Sequence, residues 1–598
     1  MPQKYLTQFF IKIGGQNVPQ EFMAALIEVV VDTSLHLPSM FTIQLNDANL
    51  KWVDDTQLLD IGKEVEISTK TGEEQGALEG VLIKGEITAL EPDFSAEGRT
   101  TLLIRGYDKS HRLHRGKKTR TFLQVKDSDL VSKIAGEAGL SAQADTTTVT
   151  YDYILQNNQT NMEFLLGRAA RIGYQVYAAE GKLYFKKGDA TLGDGPELKL
   201  GEALRSFRPC FAATHQADKF IVKGWDGKAK TAITNQQTPS SSLNQGGMTQ
   251  TGGAKAQSAF SAAEATITDQ PVFTVDEATA IAIGLSNDIS REFVEAEGMG
   301  RGDPRVKAGY TVTIENVGTR FGGKYLVTQA IHRYTEDGYQ TTFSITGRRP
   351  NTLSHLLGGN GGEQESGSMR GVVTGLVTNL SDPDDLGRVK VKYGWLGDDI
   401  ESDWMRIAAP MAGAERGFYY LPEVNDEVLV AFEHGDVHHP YIVGMLWSST
   451  DKPPKPNSEA TASGKVKERI FKSTSGHIVI FDDSDGAEKI TIRDKTEKNE
   501  IIIDSSANSM TFNVEGDFTV VAKGKVSITS TGDMALESKA NGTLKTTGNL
   551  NAEATGNATV KGTQTTVEGS AKSTLKGATV GVEGSAMTEV KGGIVKIN

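Results

Sequence analysis

The sequence predicts a mainly β fold with a few helices, divided into successive modules and closed by a β-structure that needs more than one chain. Three observations predict this. Apolar and polar residues alternate with a period of two through much of the first 350 residues, as in Phe9 to Ile13, Phe41-Thr42-Ile43-Gln44-Leu45 and Val65-Glu66-Ile67. About five short strand patterns crowd into residues 369–448. An apolar–charged–glycine triplet recurs every seven or eight residues near the C-terminus.

At ~100–200 residues per domain, 598 residues predict three to five domains. A hydrophobic fraction of 38% is enough for real cores. The balance of 63 Lys and Arg against 76 Asp and Glu gives a net charge of −13. An acidic chain is a poor partner for phosphate backbones, so nucleic-acid binding is not expected. A single cysteine, Cys210, excludes an internal disulfide framework and a cysteine-cluster metal site. The start, Met1-Pro2-Gln3-Lys4-Tyr5, lacks the basic-then-apolar run of a secretory signal. The densest apolar run, Ala24 to Val31, is interrupted by Glu28 and falls short of the ~18–20 residues needed to span a bilayer. Export by signal peptide or membrane anchor is therefore not expected.

In chain order, strands dominate residues 1–115, with Thr101 to Tyr107 as a further one. Three helices are signalled. Ser128 can cap the first, which carries Leu130, Val131, Ile134, Ala135 and Ala138 on one face and ends at Gly139. The second runs from about Asn161 to Gly173. The third starts near Asp276, spaces Ile281, Leu285, Ile289 and Phe293 four apart, and closes at Gly298. Residues 227–262 are rich in Thr, Ser, Gln, Asn, Gly and Ala and predict a mobile loop. Strands resume from Tyr310 to Ile345. The first module thus covers 1–355, followed by a glycine-rich linker at 356–368. Residues 369–450 read as a small barrel of the OB type. Lys452-Pro453-Pro454-Lys455-Pro456 makes 451–469 a stiff linker.

Residues 470–598 carry the repeat. Its clearest units are Val560-Lys561-Gly562, Val567-Glu568-Gly569, Leu575-Lys576-Gly577, Val582-Glu583-Gly584 and Val590-Lys591-Gly592, in steps of 7, 8, 7 and 8. Looser strand patterns lie upstream near Ile478, Ile490, Ile501, Phe512 and Val526. Repeated glycine costs ~1 kcal/mol each inside a helix, and the Thr and Val content favours strands. Each unit reads as a short strand plus a tight corner, with glycine suited to φ > 0. One apolar side chain per unit is too little for a single chain to enclose a core. Three chains wound together supply one face each and leave no open strand edge. The alternating Lys and Glu of the triplets would then set register. About 12 strands at ~4.7 Å would build a shaft of roughly 55–60 Å. The expected assembly is a homotrimer.

Several stretches resemble a known family. Asp385-Leu386-Gly387-Arg388-Val389-Lys390-Val391, Ser402-Asp403-Trp404-Met405-Arg406, Gly417 to Pro422, Asp426-Glu427 through Glu433-His434-Gly435-Asp436, and His439-Pro440-Tyr441-Ile442-Val443-Gly444 are similar to the OB domain of phage baseplate spikes and VgrG proteins. Gly387, Arg388, Trp404, Pro422, Glu427, Gly435, Asp436, Pro440 and Gly444 are the signature positions. Residues 1–350 look like the hub part of the same proteins, phage late-control D-like, best in Gly309 to Val312, Phe321 to Val327 and Gly338 to Thr341. The C-terminal triplets are similar to Val-x-Gly repeats. The resemblance implies a trimeric spike of a contractile injection system whose hub carries two tube-like β-barrels per chain. It implies as partners further copies of the chain, an inner tube protein, baseplate proteins, a PAAR-repeat tip protein and effector cargo, with a target membrane met only transiently. Ile594, Val595 and Ile597 are the expected tip contacts. The implied place is a phage tail-like particle made in the bacterial cytoplasm, extracellular or delivered on firing. Residues 1–60 look more like phage-derived extracellular particles than type VI secretion spikes. No lysozyme of the kind carried by T4-type spikes fits between barrel and repeat, and no effector domain is expected beyond Asn598.

Other motifs read as structural. His434, His438 and His439 surround Gly435-Asp436 in an apparent hairpin turn and are expected to face solvent rather than bind metal. Asp482-Asp483-Ser484-Asp485-Gly486 puts Phe481 and Ile492 where calcium ligands would be required, which leaves an acidic turn. Arg301-Gly302-Asp303 reads as a chance tripeptide in a turn. No phosphate loop, nucleophile elbow or zinc-protease motif is present, and Cys210 has no activating context. No cofactor, metal or catalytic residue is expected. The rival readings are a spike with hidden peptidoglycan hydrolase activity and a β-helical adhesin.

Overall fold

An eleven-stranded antiparallel sheet organises the N-terminal module. It runs in the order Leu204–Phe211, Val294–Arg301, Gly338–Ile345, Gln329–Thr335, Leu26–Ser34, Met40–Asn46, Thr101–Tyr107, Leu78–Asp93, Glu64–Thr71, Thr7–Ile13, Gln16–Asn17. The alternating patterns around Phe9, Phe41 and Val65 all lie in it and bury every second residue. The two halves of the sheet meet where Leu26–Ser34 pairs with Gln329–Thr335, with Val31 opposite His332. Each half has its own core, one around Phe22, Ile43 and Ile67, the other around Phe293, Val312 and Phe343.

The computed structural model describes residues 7–72, 78–96, 100–188, 190–239, 246–272, 274–347, 368–369, 371–397 and 400–597. The linker expected at 356–368 lies, except for Ser368, outside the described residues. The chain divides into two units, Met1–Lys472 with Phe481–Asp485, and Ser473–Ile480 with Gly486–Asn598.

Five helices are relevant to the first unit: α1 (Gln20–Ala24), α2 (Asp127–Glu137), α3 (Asn161–Arg171), α4 (Gly252–Phe260) and α5 (Val275–Arg291). Helix α2 begins one residue before the expected cap, after Lys126, and Gly139 follows it at φ +73°. Helix α3 starts with a reciprocal cap: the Glu163 N–H donates to Thr160 Oγ1 at 3.1 Å, and the Thr160 N–H donates to Glu163 Oε2 at 2.8 Å. Gly173 follows it at φ +68°, and a Cβ there would lie 2.3 Å from the Gly284 Cα of α5. Both glycines are required because the two backbones touch. Helix α5 stops at Arg291, not Gly298, because residues 294–301 pair on both sides as a central strand of the large sheet.

Outside 240–245, which lie beyond the described residues, 227–262 is not the loop expected from composition. Thr231–Gln237 pairs with Lys219–Asp226, and Ile233 packs with Val222, Ala278 and Ile281 beneath α5. Helix α4 is capped by Thr251. Small side chains suffice here because neighbouring elements supply the core. The segment 451–469, expected to be a stiff linker, holds one helical turn at Asn457–Ala460 and the pairing of Thr461–Ala462 with Lys465–Val466.

Residues 372–445 form a five-stranded sheet in the order Lys390–Lys392, Val372–Asn379, Glu427–Phe432, Pro440–Met445, Arg406–Ile407, around Val377, Val391, Val428, Val430 and Ile442. In the second unit, Lys489–Arg493, Glu500–Asp504 and Ser509–Asn513 form an antiparallel meander. Beyond it, Val526 lies in no strand, and residues 514–597 show no strand pairing among the described residues.

Within the large sheet, His332 is fully buried, with Nδ1 2.8 Å from Tyr339 Oη and 3.2 Å from Thr341 Oγ1. Burial pushes its pKa down to about 4. The unfolded chain takes up a proton near pH 6.5 that the folded chain refuses. Stability is expected to fall by about 3 kcal/mol as the pH drops from 6.5 to 4, and to gain no further loss from this group below that. Urea unfolding of the wild type and His332→Gln across this window checks it; parallel pH slopes would refute it.

Candidate functional site

Two regions concentrate the features that can do work: the junction between the N-terminal module and the barrel, and the ladder at 514–597. The junction is built from α3. Its last turn presents Arg168 and Arg171, where cations also suit the helix C-terminus. Arg168 is buried and grips Asp127 of α2 through Nε at 2.6 Å and Nη2 at 3.3 Å, with its guanidinium 4.3 Å from the centre of the Tyr151 ring. Burial disfavours the guanidinium charge, but Asp127 beside it keeps the pKa raised. Arg171 donates to Glu277 of α5 at 2.7 and 3.1 Å, to the Pro271 carbonyl at 2.7 Å, and to Asp436 of the barrel at 3.2 Å.

Asp436 is therefore the point where the barrel meets the module. Gly435, at φ +83°, turns the chain so that the carboxylate faces inward. Asp436 accepts from the His438 N–H at 2.9 Å and meets His438 Nδ1 at 2.8 Å and His439 Nδ1 at 3.2 Å. Burial alone would raise its carboxyl. The histidine hydrogen bonds and the Arg171 charge instead hold it well below the usual range. The Leu155 N–H donates to His438 Nε2 at 3.0 Å. Tyr153, Leu155, Met369, Ile400 and Val437 pack around this contact. A second bridge joins Lys228 to Asp384 at 2.6 Å.

The expected solvent-facing histidine turn is thus corrected in part. His434 is exposed at φ +52°, but His439 is buried and His438 is wedged against the strand Tyr151–Gln159. Asp303 of the Arg301-Gly302-Asp303 tripeptide is likewise buried and paired with Arg305 at 2.7 Å, and a Cβ on Gly302 would strike the Tyr339 ring. It is a packed connection, not a display loop. Cys210 is exposed on the edge strand Leu204–Phe211. Among the described residues no cluster of three or more metal-type ligands occurs.

The signature positions fall into separate groups. Gly435 and Asp436 lie at the junction, while Pro440 is buried opposite Phe432 in the barrel sheet. Gly387, at φ +71°, and Arg388 form another turn, where Arg388 holds Asp382 at 2.6 Å and Asp384 at 2.7 Å. Arg388 hydrogen bonding drives the Asp382 carboxyl far down. Trp404 packs under Lys390, whose Nζ lies 5.4 Å from the centre of its ring. Pro422 is buried, while Glu427 and Gly444 lie on paired strands opposite Leu376 and Leu429. Arg168, Arg171, Asp127 and Glu277 escape the sequence reading. The one available signal is two arginines three apart in the last turn of a capped helix.

In the ladder, bends recur at 515–516, 523–524, 531–532, 539–540, 547–548, 555–556, 563–564, 570–571, 578–579, 585–586 and 593–594. The period of seven or eight therefore begins well before the triplets. Gly562, Gly569, Gly577, Gly584 and Gly592 do not take positive φ, contrary to expectation. Two of them are tight for a Cβ: one on Gly569 would lie 2.5 Å from Ser573 Oγ, and one on Gly584 would lie 2.3 Å from the Met587 carbonyl. Val560, Val567, Leu575, Val582 and Val590 are 69–84% exposed, and Ile594, Val595 and Ile597 are 50–90% exposed.

The model of the Alg8 N-terminal domain matches residues 3–336, and that of the type VI secretion system/phage-baseplate injector OB domain matches 373–447. The chain is 26% identical to the actin cross-linking toxin VgrG1 of Vibrio cholerae over 205 residues, 31% of this chain and 18% of that protein. It is 39% identical to the type VI secretion system spike protein VgrG5 of Pseudomonas aeruginosa over 92 residues, 15% of this chain and 12% of that protein. The chain thus spans less than a fifth of the length of these curated relatives. Among solved structures, the half-lidded Francisella PdpA–VgrG complex shares the fold at TM-score 0.51 and 10% identity, covering 86% of this chain and 89% of that one.

Proposed function

The chain belongs to the Alg8 N-terminal domain family and is a VgrG-like spike and baseplate hub protein of the contractile injection family, and from that premise we propose that three copies form the central spike of a type VI or phage tail-like apparatus. The observation that carries the trimer is the ladder. Its apolar side chains are exposed, its bends are periodic, and it shows no strand pairing among the described residues. Three intertwined copies bury those side chains and supply that pairing. In this reading the N-terminal module, as two β-barrels per chain, joins the inner tube protein. The ladder forms an intertwined triple-stranded β-helix that carries a PAAR-type tip through Ile594, Val595 and Ile597. Sheath contraction drives the needle through a target membrane. The protein works by shape and stiffness rather than by catalysis, and effector cargo and baseplate proteins are its further partners.

Two of the relatives, VgrG2a and VgrG5 of Pseudomonas aeruginosa, are type VI secretion system spike proteins. They favour the type VI reading over the free extracellular particle, which rests on the character of residues 1–60. Truncation after Gly592 tests the tip assignment. The truncated chain is expected to keep the trimer, measured by light scattering, and to lose capture of a PAAR-repeat protein in a pull-down. Unchanged capture would refute Ile594, Val595 and Ile597 as the tip contacts.

A further inference from the structure

We propose that His438 is the release element of a pH-sensitive latch between the N-terminal module and the barrel, closed by its neutral imidazole and opened by its imidazolium. The argument rests on hydrogen-bond polarity. The strand Tyr151–Gln159 pairs on one side with Lys118–Val125 in a two-stranded sheet. The Leu155 N–H points instead at His438 Nε2, 3.0 Å away. A backbone amide can only donate, so Nε2 is bare and Nδ1 carries the ring proton. Nδ1 then donates to Asp436 Oδ1 at 2.8 Å. One protonation state satisfies both ring nitrogens. A second proton lands on Nε2, sets donor against donor, and forces the ring away from Leu155.

The surroundings set when this happens. On its own turn the ring faces Asp436 and His439. From α3 it faces Arg168 and Arg171, which Asp127 and Glu277 neutralise in part. From the strand it faces Tyr153, with ring centres 6.4 Å apart. Burial holds the imidazole below its ordinary pKa, Asp436 pulls the other way, and the two guanidiniums reinforce burial. Opening is therefore an acid event. The Arg171–Asp436 and Lys228–Asp384 bridges and the apolar contacts remain, so the junction loosens without separating. It is rigid near neutral pH and compliant in acid.

Hydrogen exchange of the full-length protein, read by mass spectrometry on peptides covering 151–159 and corrected for intrinsic rates, tests the latch. Between pH 7.5 and 5.0 the wild type is expected to lose protection at Leu155 by about tenfold, the worth of one hydrogen bond. His438→Gln keeps an acceptor and removes the titration, so its protection is expected to stay level. Asp436→Asn removes the counter-charge and is expected to move the opening to lower pH. Peptides from the sheet around His332 separate local opening from global unfolding. Level protection in the wild type, or the same loss in His438→Gln, would overturn the proposal. If the glutamine variant does not fold, an unshifted midpoint in Asp436→Asn overturns it equally.

Discussion

Replacing Val567 and Val582 together by aspartate is expected to abolish trimer formation while leaving the first unit folded. Both side chains are exposed in the single chain, at 84% and 69%, so the substitution removes no contact within it. In the trimer each would bring three carboxylates toward one axis. An ionised carboxylate taken out of water without a partner costs several kcal/mol, and three close together repel one another. The lost valines remove a further ~1.5–3 kcal/mol of burial each. Sedimentation velocity is expected to give a species of three 64.3 kDa chains for the wild type and of one for the variant. A wild type that sediments as a single chain at micromolar concentration, or a variant that still assembles, would refute the intertwined ladder.

Arg168→Ala is expected to destabilise the first unit by about 3–5 kcal/mol, the range for removing one member of a buried ion pair. The magnitude follows from what stays behind. Asp127 is 2% exposed and would be left buried without its partner. The substitution also removes the cation from the Tyr151 face and loosens α3, which positions Arg171 for the barrel. Urea denaturation checks the value. The double variant Asp127→Ala/Arg168→Ala is expected to recover part of the loss, since no stranded carboxyl remains. A loss under ~1 kcal/mol in the single variant would show that the pair contributes no more than an exposed one.

Where a local pattern is enough, the sequence reading and the structure agree. The strands around Phe9, Phe41 and Val65 were legible because alternation reports one buried face directly. The start of α3 was legible to within a residue because its cap is local chemistry, whereas α2 starts after Lys126 with no side-chain cap and takes Ser128 inside the helix. Helix α5 was extended seven residues too far because Phe293 continues its spacing, and only pairing of 294–301 on both sides breaks that pattern. Residues 231–237 and α4 were missed because their core comes from Val222 and α5. The triplet glycines do not take the positive φ expected of a tight corner, and at Gly569 and Gly584 it is space that a Cβ would lack.

The sequence by itself determined the modular β character, the barrel motif and the period of the ladder. Each is written in residues close together along the chain, where propensity and periodicity act. Only the tertiary structure decided that Leu155, Arg171, Glu277, Asp436 and His438 meet. Those residues lie as far as 283 positions apart, and no local rule encodes such a meeting. It also decided the state of His438, because an amide from a distant strand, not a neighbour in sequence, dictates which ring nitrogen stays bare.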